Sequence, residues 1–270
     1  MLEKYTRIAI FGALGKMGKI IIKQIHQNSN FNITTAIVKK NDPNIGKDIG
    51  KILGIKNSNI VTSDNLEEKI EFFDILIDFS STSATLNNLF LCEKYKKKMI
   101  IGTTGFKKSE IEKIKKSSKK IAIIFSANFS IGINLILNTL EKITKTLIST
   151  SDVEIIEYHH NKKIDAPSGT ALMLGKKIAD TMKWKLENHS IYERKGKIGV
   201  RPTKKIGFST IRGGDIIGEH TIMFASSGER IEITHKASNR ALFANGVIKA
   251  LKWILKKDIG YFNMEDVLKI

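Results

Sequence analysis

The chain has 270 residues, enough to bury a sizeable core as one large domain or two modest ones, and two domains are expected. Its 45 Lys and Arg against 27 Asp and Glu give a formal charge of +18, but the lysines are scattered, with Tyr95 the only aromatic in the runs 94–98 and 115–120. This reads as a solvated lysine-rich surface and not as a nucleic-acid face, because charge runs alone specify no groove contacts. The single cysteine, Cys92, excludes an internal disulfide and fits a reducing, cytoplasmic compartment. No run of 18 apolar residues predicts a membrane span, and the short apolar stretch at the N-terminus, broken by glycine, is too short for a secretory leader.

Along the first half, short β-branched runs alternate with longer amphipathic segments. RIAIF (7–11), NITTAIV (32–38), ILIDF (75–79), MIIG (99–102) and IAIIF (121–125) read as strands, and the segments after Gly15, Thr82 and Ser109 as helices. Near-continuous apolar strands are expected when helices cover both faces of a parallel sheet, which predicts a doubly wound α/β domain. Between the first strand and first helix lies GALGKMG, with Gly12, Gly15 and Gly18 spaced to turn the backbone sharply, approach a pyrophosphate and pack helix on strand. A tight strand-to-helix turn is the plain alternative. The position in the first βαβ unit favours dinucleotide binding. Where such a unit carries an acid for the ribose 2′-hydroxyl, this chain has Val38, Lys39 and Lys40. Two ammonium groups in place of a carboxylate slightly favour NADPH, with NADH the other candidate.

After Phe129 the pattern changes. The long amphipathic segment at 131–148 is followed by strand-like SDVEIIEYHH, a helix from about Thr170, and the alternating pieces KIGFSTIRGG, EHTIMFASS and ERIEITHKA, which predict a second α+β domain with a mixed sheet. RALFANGVIKALKWIL returns to helical spacing and is expected to pack back on the first domain. The expected boundaries are 1–129, completed by 240–270, and 130–239.

The stretch EYHHNKKIDAPSGTA (157–171) concentrates histidines and lysines ahead of a helix start at Ser168, Gly169 and Thr170, where unpaired N–H groups favour a carboxylate. His159 and His160 end a strand and so point to opposite faces, one fit to act as an acid and the other to bind. The serine and threonine are otherwise simple caps. No third ligand at metal spacing accompanies the histidines, so no metal is expected, and Ser168 lacks the elbow glycines of a nucleophile.

Seven motifs in order, GALGKMG, IDFSS, IGTTGF, SANFSIGIN, EYHHNKKIDAPSGTA, IRGGDIIGEHTI and SNRALFANG, closely resemble the dihydrodipicolinate reductase (4-hydroxy-tetrahydrodipicolinate reductase) family over essentially the whole chain. The resemblance implies a Rossmann domain, a second domain that binds a small dicarboxylate and builds a homotetramer, and a nicotinamide-dependent reduction in the diaminopimelate route to lysine. It implies cofactor contacts at Gly12, Gly15, Lys16, Met17, Gly18 and Lys39, and at Gly102, Thr103, Thr104, Ala127, Asn128 and Phe129. It implies His159 as general acid with Lys163 as its cationic companion, and His160, Lys163, Ser168, Gly169, Thr170 and Arg240 as carboxylate binders. The competing readings are another imino-acid or amino-acid dehydrogenase sharing the glycine loop, and a dinucleotide- or polyanion-binding protein without turnover.

Overall fold

The computed structural model describes residues 5–27, 31–56 and 58–270, so the first four residues of the expected first domain lie outside it. The chain divides into two compact units: residues up to 131 with 241–269, and residues 132–240.

In the first unit the elements run β1 (Thr6–Phe11), α1 (Lys16–His26), β2 (Phe31–Ile37), α2 (Ile49–Leu53), β3 (Thr62–Ser63), a 3₁₀ turn (Glu67–Phe72), β4 (Ile75–Asp78), α3 (Thr82–Lys94), β5 (Lys98–Ile101), α4 (Lys108–Ser117) and β6 (Ala122–Phe125). The second unit holds α5 (Ile131–Leu147, whose first residue belongs to the first), β7 (Asp152–His159), α6 (Gly169–Thr181), α7 (Leu186–His189), β8 (Ser190–Ile191), β9 (Ile206–Arg212), β10 (Gly218–Ser226) and β11 (Glu229–Ala237). The chain then returns to the first unit with α8 (Ala241–Ile254), β12 (Gly260–Phe262) and α9 (Met264–Leu268).

Among the described residues the first sheet has the parallel order β12-β6-β5-β4-β1-β2-β3. Its strands are apolar on both sides because both sides are covered. Ile8, Ile10, Ile75, Ile77, Ile100 and Ile124 pack with α1 and α8 on one face. Ala9, Leu76, Met99, Ile101 and Ile123 pack with Leu89 and Cys92 of α3 and Ile114 of α4 on the other. Cys92 is fully buried, which pushes its thiol well above its usual range and keeps it a packed, unreactive group. The strand order reverses between β1 and β4, the topological switch beyond whose carboxyl ends such sheets bind ligands.

The second sheet is mixed, in the order β11-β10-β7-β9-β8, with β7 parallel to β9 and antiparallel to β10. Along β7 the inward positions Val153, Ile155, Glu157 and His159 are all buried. The first two join Leu137, Leu140, Leu174, Ile178, Ile222 and Phe224 in the core of this unit.

Strand and helix boundaries fall within a residue or two of the sequence expectation. The pattern missed α2, β3, α7, β8, β12 and α9, all of five residues or fewer, too short for a period to register. No helix among the described residues is long and apolar enough to cross a membrane.

α8 is fastened to the first unit at Gly246, where a Cβ would overlap the carbonyl oxygen of Phe129. Gly246→Ala is therefore expected to lower stability in denaturant titrations by about 1–3 kcal/mol, the usual cost of overpacking a close contact.

Candidate active site

The glycine turn is built by the sheet beneath it. The amides of Gly12 and Ala13 donate to the carbonyl of Ile37 at 3.0 and 2.9 Å, which carries the chain from β1 across to the end of β2. Gly12 has φ +79°, and a side chain there would meet the Phe79 carbonyl oxygen at 2.9 Å. Gly18 is buried, and any Cβ on it would overlap the Gly12 carbonyl. Gly18 thus sets how closely α1 approaches the turn, while the exposed Gly15 and Lys16 stand at the helix start. Gly15 caps α1 with no side-chain acceptor, and the start of such a helix is electropositive and suited to an anion. Met17 is half-buried against the core.

A groove of about 710 Å³ opens beside the turn, lined by Gly12 and Gly15, by Val38, Lys39, Lys40, Asp42 and Asp64, and by Phe79 to Ser81. The turn, its uncapped helix and this groove fit a dinucleotide. Val38 is buried, leaving Lys39 and Lys40 exposed. Asp42 and Asp64 escaped the sequence reading because they lie in loops beyond β2 and β3. Hydrogen bonds from Asn44 hold the Asp42 carboxylate below its usual range, with Lys39 and Lys47 adding to the effect.

The loops after β4 and β5 are tied together below the surface. Asp78 is fully buried and accepts from Ser80 Oγ at 2.5 Å and Asn88 Nδ2 at 2.8 Å. Thr103 Oγ1 bonds the Ser80 amide and Thr85 Oγ1, both at 3.0 Å. Burial raises the Asp78 pKa despite these donors. The Thr103 side chain is therefore engaged inside, leaving Thr104 exposed beside Gly102, which packs on the Phe79 ring. Asn128 and Phe129 are buried and Ala127 is exposed. Asn128 Oδ1 accepts from the Ser130 amide at 2.8 Å, and Phe129 tilts against Phe79 with ring centres 5.5 Å apart.

In the second unit, the strand register assembles a cluster that the sequence reading reached only in part. Parallel pairing sets Glu157 beside Thr210 and His159 beside Arg212, and antiparallel pairing sets His220 beside Glu157. One Glu157 carboxylate oxygen is bonded to His159 Nδ1. The other accepts from Arg212 Nη2 at 2.8 Å, Thr210 Oγ1 at 3.1 Å and the Ser168 amide at 3.2 Å. Burial alone would raise the Glu157 pKa, but hydrogen bonds from His159 and Arg212 overcome it and hold the group at about 2, so it is ionised. Ser168, expected to face a ligand, is only 2% exposed: its amide serves Glu157, while its hydroxyl caps α6 at the Ala171 amide and pairs with His220 Nε2 at 3.1 Å. Gly169 beside it is exposed, with open space where a side chain would be.

His160 leaves the inward face as the alternation requires, and its carbonyl accepts from the Lys163 amide at 3.1 Å. Lys163 Nζ pairs with Asp165 at 2.7 Å, and Arg212 also reaches the Asp165 carbonyl at 2.7 Å, fastening the loop between β7 and α6 to β9. Arg240 is half-buried at the last position of the second unit. Contrary to the expectation that the histidines lack further metal-ligating company, Glu157, His159 and His220 present ligand atoms within 4.8 Å of one another. The Glu157 oxygens already serve four donors, one of them a guanidinium, so the cluster is built as a hydrogen-bonded network.

The first unit is a dinucleotide-binding fold and the second a mixed-sheet unit bearing a buried acid-imidazole-guanidinium cluster. Family models described as the N-terminus and C-terminus of dihydrodipicolinate reductase match residues 6–129 and 132–268. The chain belongs to the dihydrodipicolinate reductase family. It is 51% identical over 269 residues to a 4-hydroxy-tetrahydrodipicolinate reductase of Buchnera aphidicola subsp. Acyrthosiphon pisum (strain 5A), with full coverage of both chains. It is 52% identical over 270 residues to its counterpart in subsp. Schizaphis graminum (strain Sg), covering all of this chain and 99% of the relative. In fold it is similar to the dipicolinate-bound dihydrodipicolinate reductase from Paenisporosarcina sp. TG-14, with a TM-score of 0.77, 24% identity, and 96% and 98% coverage of the two chains.

His220 supplies a test of the cluster's electrostatics. Burial, then the nearby His159, lower its pKa to about 4. Between the ordinary value of about 6.5 and about 4, the unfolded chain binds a proton that the folded chain refuses, so stability falls as pH drops through that window. Urea midpoints are expected to decline from pH 7 to 4.5 by the equivalent of roughly 2 kcal/mol from this group, and to decline less in His220→Gln.

Proposed function

We propose that the chain catalyses the NAD(P)H-dependent reduction of 4-hydroxy-tetrahydrodipicolinate to tetrahydrodipicolinate, in diaminopimelate and lysine biosynthesis. The observation that carries this reading is the imidazole of His159, held by an ionised carboxylate within a cationic cluster in a chain of this family. The reduced nicotinamide supplies the hydride. The substrate releases its hydroxyl as water, and the conjugated C=C–C=N system that accepts the hydride also takes one proton. His159 is the donor of that proton, since imidazolium gives up a proton near neutral pH.

Lys163 supplies fixed positive charge beside the developing negative charge. His160, Lys163 and Arg240, with Ser168, Gly169 and Thr170 at the start of α6, bind the two carboxylates. Ser168 acts by shaping the turn, because its own amide and hydroxyl are turned inward. On the cofactor side, Gly12, Gly15 and Lys16 hold the pyrophosphate, Met17 and Gly18 support them from below, and Lys39 meets the adenosine end. Gly102, Thr104 and Ala127 line the nicotinamide end, while Thr103, Asn128 and Phe129 fix the loops that carry it.

NADPH is the preferred cofactor, because Lys39 and Lys40 are exposed where Val38, buried, replaces an acid. The chain works as a homotetramer in the reducing cytoplasm. The half-exposed outer face of the second sheet, with Ile156, Tyr158, Ile211 and Met223, supports such assembly.

Supplied with the condensation product of pyruvate and aspartate semialdehyde, the purified protein is expected to oxidise NADPH, followed by nicotinamide absorbance; cofactor binding without turnover would refute the reading. His159→Gln is expected to lower kcat by about 10²–10⁴-fold with a smaller change in KM. Lys39→Ala combined with Lys40→Ala is expected to weaken NADPH more than NADH in binding titrations, and equal losses would refute the 2′-phosphate contact.

A further inference from the structure

The geometry assigns Glu157 as the positioning residue of His159: it accepts the hydrogen bond of Nδ1–H and leaves Nε2 as the nitrogen that delivers a proton to the substrate. This rests on His159 being the proton donor.

The two residues are separated by two positions on β7, so both side chains leave the same face of the strand and reach one another without distorting it. Glu157 is 1% exposed and His159 9%, so the contact between the carboxylate and Nδ1 is shielded from bulk water. An ionised carboxylate only accepts hydrogen bonds, and Arg212 together with its low pKa keeps Glu157 ionised. Its bond to Nδ1 therefore requires the proton to sit on Nδ1 in the neutral ring as well as in the charged one. The carboxylate is itself immobilised by Arg212, Thr210 and the Ser168 amide, which come from β9 and the start of α6. The imidazole is thus held by a group that cannot turn away.

The opposite edge of the ring packs against a residue that has no side chain. Nε2 faces the Cα of Gly218, where a Cβ would lie 2.9 Å from it. His220 stands edge-on to His159 with ring centres 5.2 Å apart, and its own Nε2 is bound to Ser168. His220, with its pKa near 4, stays neutral, so it does not compete with His159 for charge. In the step itself the Nε2–H bond of the imidazolium breaks and the proton passes to the substrate ring, to which a bound reduced nicotinamide would supply the hydride. His159 is left as the neutral Nδ1–H tautomer, still bonded to an unchanged carboxylate, and regains its Nε2 proton from solvent.

Two measurements decide the matter. In ¹⁵N-histidine-labelled wild-type protein, the ring nitrogens of His159 in its neutral form, identified by their loss in His159→Gln, are expected to show Nδ1 protonated and Nε2 bare. The reverse tautomer overturns the assignment, and this readout needs no variant at position 157. Kinetically, Glu157→Gln is expected to lower kcat at least about 10²-fold with KM changed less than about threefold, while costing almost nothing further in a His159→Gln background. Equal losses in both backgrounds would mean that Glu157 serves only the fold. If His159→Gln itself turns over normally, the proton-donor reading fails. If His159→Gln is impaired but Glu157→Gln is not, only the present assignment fails.

Discussion

A carboxylate removed from water must find donors for its oxygens or give up its charge, and that requirement organises the second unit around Glu157. Its partners come from the same strand, from the neighbouring parallel strand and from the first residue ahead of a helix. Thr210 and Arg212 would not be in reach if β7 slipped by one position against β9, because such a slip turns every side chain to the other face. The polar cluster therefore specifies the register together with the apolar contacts around Val153 and Ile155.

The first unit applies the same logic at a second buried acid. Asp78 at the end of β4 gathers Ser80, Asn88 and Thr103, and through Thr103 the turn after β5 is bound to the one after β4. Both turns lie at the carboxyl ends of the strands, on the side where a doubly wound sheet receives its ligand. The glycine turn is shaped differently, by backbone bonds to Ile37 and by the closeness of Gly18 to Gly12, so little of its geometry depends on side chains. The glycine turn thus presents rigid backbone, while the second unit presents a network of charged groups.

How much of this was legible follows from what pattern can carry. The five apolar strands of the first half could be read because both their faces are covered, and the glycine turn because it sits between a strand and a helix. β12 could not: it has three residues, and it joins the sheet by pairing with β6 from a segment more than 130 residues further on. At the site, His159, Lys163 and the start of α6 were visible in one continuous motif. Arg212, Thr210 and His220 come from other strands, and only pairing register brings them together. Glu157 did leave a signal, since an acid at an inward position of an otherwise apolar alternation demands a buried partner, but the partner's identity was not written locally. Ser168 and Thr103 show the converse. Their motif positions were plain in the sequence, yet the inward turn of their side chains emerges only from the fold.

The return of the chain to its first unit has a consequence for biosynthesis. Val247, Leu251, Ile254, Met264 and Val267 belong to the same core as Ile8 and Ile21. A nascent chain leaving the ribosome with 131 residues complete thus carries the glycine turn and most of the parallel sheet while the apolar flank that α8 will cover still faces water. The intervening unit, whose strands pair only among themselves, emerges whole and is free to fold while its host waits. The part of the molecule synthesised first is in this way the last to be completed, and during translation its uncovered apolar flank is the surface open to misassembly.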